Sequence, residues 1–284
     1  MTGAAPTIFD ELCDDLLAER ADLDAILAST ASAGWQTPTP AEGWNVLDQV
    51  THLAWFDQAA RTSIVDPEAF RSQQAAMLQE SKGAVEGFVE TVRASHAHLS
   101  GSAARRWLHG AGDSLLAAAR DADPSERVPW YGPAMTVTSC ITARLMETWA
   151  HGQDIADAVG VERIPTQRLK HVAFIGSRAF VNSFRAHGLA VPDVAVRVSL
   201  TAPDGSTWDF GPRPTDSAAD PAIDTVTGPA LDFCLLVTQR RHRADTSLVA
   251  TGDTADRWLD IAQAFAGPPG AGRPPSDRIG SKPT

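Results

Sequence analysis

The chain has 284 residues, a mass of 30.2 kDa and 43% hydrophobic residues, enough for one large domain or two ordinary ones. Its formal charge of −11 and pI near 5.1 argue against a nucleic-acid backbone as partner, because phosphate binding needs a basic face. No apolar run approaches the roughly 18 residues of a membrane span, the acidic start MTGAAPTIFDELCDDLL lacks a signal-peptide n-region, and Cys13, Cys140 and Cys234 stand far apart without a CxxC, so a reduced, cytoplasmic protein with three buried thiols and no disulfide frame is expected.

In chain order, Ile8, Leu12, Leu16, Leu23 and Leu27 recur near helical spacing and predict a first helix over 7–30. TPTPAEGW (37–44) is a turn, after which Asn45 reads as an N-cap with Asp48 at the third helical position. The second helix runs to about Ser63 and is interrupted at Asp66-Pro67. Residues 67–100 predict an excursion of one or two short helices, and 102–122 a third long helix. DADPSERVPWYGPAM (121–135) is a proline-rich loop; a fourth helix opens near Pro133 and stops at Gly160. Four long helices suggest a bundle.

Beyond about Val191 the pattern changes. VAVRVSL (194–200) alternates as a strand, and Asp204-Gly205 turns it into a hairpin. Further strands are expected at 223–227 and 246–250, and helices at 229–241 and 253–266. The domain plan is a helical bundle over 1–165, a helical connector over 166–190, a smaller α+β domain over 191–266 and a polar tail over 267–284.

METWAHGQD (146–154) carries the chemistry. Glu147 and His151 lie four apart and share a helix face, which makes either a surface ion pair or part of a metal site. His52, set among Leu53, Trp55 and Phe56, is either a satisfied core histidine or the third ligand. Two imidazoles and one carboxylate suffice for a divalent cation with an open position. Arg144 could orient Glu147, and Asp154 could hold the His151 tautomer; a solvated helix end explains both equally well. Asp57, five residues after His52, should point elsewhere.

The segments GWNVLDQVTHLAWFD, VPWYGPAM and ARLMETWAHGQDIADAVG together resemble the metal-binding bundle of the mycothiol-dependent maleylpyruvate isomerase family, within the DinB-like superfamily. WDFGP, VTGPALDFCLLVTQRR and WLDIAQAFAG resemble its C-terminal domain, similar to sterol-carrier-type folds. The resemblance implies an α+β two-domain protein: a DinB-like four-helix bundle followed by a smaller sterol-carrier-like domain. It implies a divalent metal, usually zinc, on His52, Glu147 and His151, with mycothiol or a similar small thiol as cosubstrate. The expected activity is that of an isomerase or thiol transferase on a small electrophile. The family's second-domain arginine matches Arg240, with Arg241 as fallback, facing an acidic substrate; the bland alternative is a cation favoured at a helix C-terminus. Trp130 and Tyr131 either wall the pocket that takes the thiol or serve loop packing. The 67–100 excursion and the WYGP loop depart from isomerase-like relatives, which points to a separate subgroup and away from maleylpyruvate itself. The same ligand set also suits a water-activating hydrolase or a non-haem iron oxygenase, and a non-catalytic small-molecule or lipid binding protein is the alternative of another class. The oligomeric state is not legible in the sequence.

Overall fold

A computed structural model describes residues 6–80, 85–212, 223–265, 267, 269–270 and 272–276; the expected tail beyond 276 lies outside the described residues. The chain divides into two compact units, Met1–Arg163 and Ile164–Thr284, and the fold is α+β.

In the first unit, helices α1 (Ile8–Ser29), α2 (Val46–Val65), α5 (Gly101–Asp121) and α6 (Val137–Val159) form the bundle. Leu23, Leu27, Val50, Leu53, Leu108 and Ile155 from all four helices share one buried core. Both α1 and α2 start with reciprocal capping boxes, Thr7–Asp10 and Asn45–Asp48, each satisfying two of the orphan donors of a helix start. The second helix ends at Val65 because Pro67 disfavours helical backbone at Asp66, which sits at φ −148°. The excursion is two helices, α3 (Pro67–Glu80) and α4 (Val85–His96).

Pro133 does not open the fourth long helix. It stays in the loop, and α6 starts at Val137, where the Thr136 hydroxyl accepts from the Ser139 amide at 3.1 Å. The intervening chain forms a short antiparallel ladder, β1 (Arg127–Val128) with β2 (Met135–Thr136). Gly160, at φ 70°, supplies the left-handed C-cap.

A buried ion pair ties α2 to α6. Arg144 Nε donates to Asp57 Oδ1 at 2.8 Å, and both side chains are almost fully buried. Arg20 of α1 approaches the other Asp57 oxygen at 4.0 Å and donates to the Leu108 carbonyl at 2.6 Å. Gly112 makes that path possible, since any Cβ there would meet the Arg20 guanidinium at 1.5 Å. The α1–α5 seam is clamped nearer the surface by Asp24, which accepts from Arg105 Nε and Nη2 at 2.5 and 2.8 Å and contacts His109 Nε2 at 2.5 Å.

The second unit holds a four-stranded sheet in the order β4-β3-β5-β6: β4 (Thr207–Phe210), β3 (Val196–Thr201), β5 (Asp224–Pro229), β6 (Val249–Thr251). β3 and β5 run parallel, and the other pairs are antiparallel. The β3–β4 hairpin turns at Gly205 with φ 83°, as its Asp-Gly pair predicts. Helices α7 (Leu169–Arg178) and α8 (Phe180–Ala186), expected as a connector, pack within this unit: Gly176 abuts Val237 and Phe233 of α9 (Ala230–Val237). α9 is shorter than the expected 229–241 because Gln239 turns left-handed at φ 59° and the Arg240 amide closes back on Leu235 at 2.7 Å. The last helix, α10 (Asp253–Ile261), is capped by Asp224, which accepts from the Thr254 and Ala255 amides, and its Trp258 packs edge-on to Phe180 and Phe233. It stops short of 266 because the chain turns away, the Gln263 amide bonding Ser183 Oγ and the Ala264 amide bonding the Val237 carbonyl.

The Arg105 hydrogen bonds, opposed by partial burial and aided by His109, pull the Asp24 carboxyl from 3.8 down to about 2. A depressed carboxyl stabilises the fold above its unfolded pKa and loses that contribution as pH falls from about 4 to about 2. Asp24→Asn should therefore lower stability by about 1 kcal/mol at pH 7, and the gap to wild type should shrink as the pH of urea unfolding is taken below 4. Asp57→Ala strands the buried Arg144 charge and should cost about 3–5 kcal/mol; a change in urea midpoint equivalent to less than 1 kcal/mol would contradict the pairing.

Candidate metal centre

The face of α2 that carries Gln49, His52 and Phe56, at spacings of three and four, meets the face of α6 that carries Arg144, Glu147 and His151. One ligand atom each from His52, Glu147 and His151 lies within 4.8 Å of the others. The two imidazole centroids are 4.5 Å apart, and His151 Nε2 stands 3.1 Å from Glu147 Oε2. The pair is sheltered, with 12% of the His151 side chain and 25% of the Glu147 side chain exposed.

The hydrogen bonds of His151 decide what this gap holds. Its Nδ1 bonds Gln49 Oε1, an acceptor, so Nδ1 carries the hydrogen. Its Nε2 then faces a carboxylate with a lone pair of its own. Two acceptors 3.1 Å apart require a positive charge between them, either a proton or a cation. Burial by itself would raise the Glu147 carboxyl; with the proton in the gap, the hydrogen bond from His151 and the positive fields of His151, Arg144 and His52 outweigh it and hold the group down at about 2. Glu147 is therefore ionised with the proton in place, and a cation in the same gap would supply the same positive charge. Two neutral nitrogens and one carboxylate, sheltered and already within a few ångströms, fit a divalent cation, whose first-shell atoms lie about 3–4 Å apart when each bond is near 2 Å.

Rings close the site. Trp44 stacks on His151 at 6.0 Å and 22° and meets His52 edge-on at 5.2 Å. Phe56 lies 4.5 Å from His52 and passes the contact on to Tyr131 at 5.8 Å and Trp130 at 6.3 Å. Trp130 and Tyr131 thus join the aromatic cluster one ring away from the ligands. The loop that bears them is held by the excursion and by α2: Phe70 of α3 stacks on Trp130 at 5.8 Å, Gln74 donates to the Trp130 carbonyl at 3.0 Å, and Ser63 of α2 donates to the Pro129 carbonyl. Burial pushes the Tyr131 phenol up.

Two expected supporting roles are corrected. Arg144 bonds Asp57 rather than Glu147 and reaches Glu147 only through its field. The His151 tautomer is held by Gln49 rather than by Asp154, which is fully buried. Asp57 points away from the ligands, as its spacing predicts. Gln49, Thr39 and Trp44 carry no role in the sequence reading. The signal for Gln49 is its position three residues before His52 on the same helical face.

Arg240, in the second unit, is half-buried and donates through Nη1 to the Thr238 carbonyl at 2.6 Å. Arg241, not Arg240, lines a cavity of about 280 Å³ together with His187, Gln239, Asp260 and Arg273. The three cysteines are buried, and burial raises Cys140 to about 12. No helix among the described residues is long and apolar enough to cross a membrane.

The solved structures of a mycothiol-dependent maleylpyruvate isomerase and of a point mutant of it superpose with TM-scores of 0.57, at 16% and 15% identity, over 88% of this chain and 96% of theirs. Two uncharacterized proteins from two strains of Mycobacterium tuberculosis are each 42% identical over 262 residues, spanning 91% of this chain and 96% of their own length. The sequence profile of the mycothiol maleylpyruvate isomerase N-terminal domain matches residues 16–156, which contain all three ligand candidates. By sequence, residues 16–156 belong to the mycothiol maleylpyruvate isomerase N-terminal domain family, and the fold of the chain is that of the solved isomerase.

Proposed function

We propose that the protein is a metal-dependent enzyme that uses a low-molecular-weight thiol, mycothiol or a close analogue, as an isomerase or thiol transferase on a small, electrophilic, acidic substrate. The observation that carries this reading is the convergence of His52, Glu147 and His151. These three would hold a divalent cation, for which we propose zinc: two nitrogens and one carboxylate are a common zinc set that keeps a position open. A cation so held supplies Lewis acidity, lowering the pKa of a thiol at the open position so that its sulfur is nucleophilic at neutral pH.

The chain's own residues do the rest. Glu147 stays ionised beside His151 and contributes the one negative charge of the set. Trp44, Phe56 and Tyr131 keep water from the ligands, which strengthens every electrostatic interaction there. The buried cysteines have no accessible thiolate, which fits a thiol that arrives from solution. We assign recognition of a substrate carboxylate to Arg240, with Arg241 as the alternative, because a guanidinium fork matches that group. Trp130 and Tyr131, held by α3, are proposed to shape the space for thiol and substrate.

The test is zinc content and thiol consumption together. Wild-type protein should retain about one zinc per chain after dialysis, an occupancy consistent with one three-ligand site. It should accelerate the zinc-dependent reaction of mycothiol with a model electrophile such as chlorodinitrobenzene. His52→Ala and Glu147→Ala should lose the metal and at least about 100-fold of the rate, since changing even an outer partner of a metal ligand costs 10–100-fold. Wild type without zinc, or a thiol reaction unchanged in His52→Ala, would contradict the proposal.

A further inference from the structure

We infer that Thr39 and Gln49 are positioning residues that lock the His151 ring in the tautomer presenting Nε2 to a cation; this rests on the metal reading above. The inference comes from the polarity of one buried chain of hydrogen bonds. It starts at the Trp44 backbone carbonyl, which can only accept. The Thr39 hydroxyl donates to that carbonyl at 3.0 Å. Its hydrogen is thereby committed, and only lone pairs of Oγ remain for Gln49. Gln49 must then turn its amide nitrogen toward Thr39, and Nε2 donates to Oγ at 2.9 Å. The amide oxygen is left facing His151, and it accepts from Nδ1–H. With the hydrogen on Nδ1, the lone pair lies on Nε2, beside Glu147.

The reverse setting is the harmful one. An amide turned the other way would donate to Nδ1, move the ring hydrogen to Nε2 and let it bond Glu147, closing the gap against a cation. Gln49 is fully buried and Thr39 is 8% exposed, so water does not substitute for either partner. The turn at 38–45 fixes the anchor. Pro38 and Asn45 bridge across it, the Thr39 amide donates to the same Trp44 carbonyl at 2.7 Å, and Gly43 adopts φ 76°. The residue whose carbonyl anchors the relay also lays its indole on the His151 ring. The turn TPTPAEGW is thus part of the metal centre.

The test uses full-length protein and Zn²⁺, titrated against a chromophoric chelator, with ¹⁵N NMR of the metal-free histidines as a second readout. Gln49→Leu should weaken zinc about 10–100-fold and remove the Nδ1–H signature of His151. Thr39→Val, which keeps shape but lacks the hydroxyl, should shift both in the same direction by less. Gln49→Glu, still an acceptor for Nδ1–H, should keep affinity within a few-fold of wild type. Because Thr39 acts through Gln49, adding Thr39→Val to Gln49→Leu should cause little further loss. Equal zinc affinity and an unchanged tautomer in folded Gln49→Leu and Thr39→Val, with wild type binding zinc, would overturn this inference alone. A wild type that binds no zinc would overturn the metal reading and this inference with it.

Discussion

Everything at the candidate centre depends on one electrostatic constraint: one ligand atom each from His52, Glu147 and His151 lies within 4.8 Å of the others, so the carboxylate and the two imidazoles share one small volume. A bundle core is a costly place for such a cluster, because burial weakens the hydration of the carboxylate and the two imidazoles. The first unit accepts that arrangement and surrounds it with fixed partners. Behind it, Asp57 and Arg144 form a nearly water-free pair that braces α2 against α6, and the Arg144 field helps keep Glu147 charged. In front, Trp44 and Phe56 pack directly on the two imidazoles. To the side, Gln49 fixes the hydrogen of one ring.

The 67–100 excursion and the WYGP loop meet as one structural feature. Phe70 and Gln74 of the α3 excursion grip Trp130, and Tyr131 beside it carries the aromatic contact back through Phe56 to His52. A change in either segment alone would leave the other without its partner. Together they form the aromatic wall that runs through Phe56 to His52.

Much of this is legible in the sequence, for identifiable reasons. Helices α1 and α2 announce themselves because capping residues and apolar spacing agree, and Glu147 with His151 because four residues make one helical turn. The start of α6 is misplaced because Pro133 is tolerated both in a first helical turn and in a loop, and the deciding feature, a ladder to Arg127 and Val128, is non-local. The partners of Arg144 and His151 are misread for the same reason. Neighbours on α6 are visible as spacings, whereas Asp57 and Gln49 sit some 90–100 residues earlier and meet the helix only once the bundle forms. α9 ends early through a left-handed glutamine, a conformation with no strong sequence signal.

The most direct test of the central claim is X-ray absorption at the metal edge of the purified protein, before and after a low-molecular-weight thiol is added. The account predicts a zinc edge with only nitrogen and oxygen neighbours near 2 Å at first, two of them imidazole, and one sulfur neighbour at about 2.3 Å once mycothiol is present. A sulfur-free first shell in both samples, or a shell lacking histidine, would contradict it.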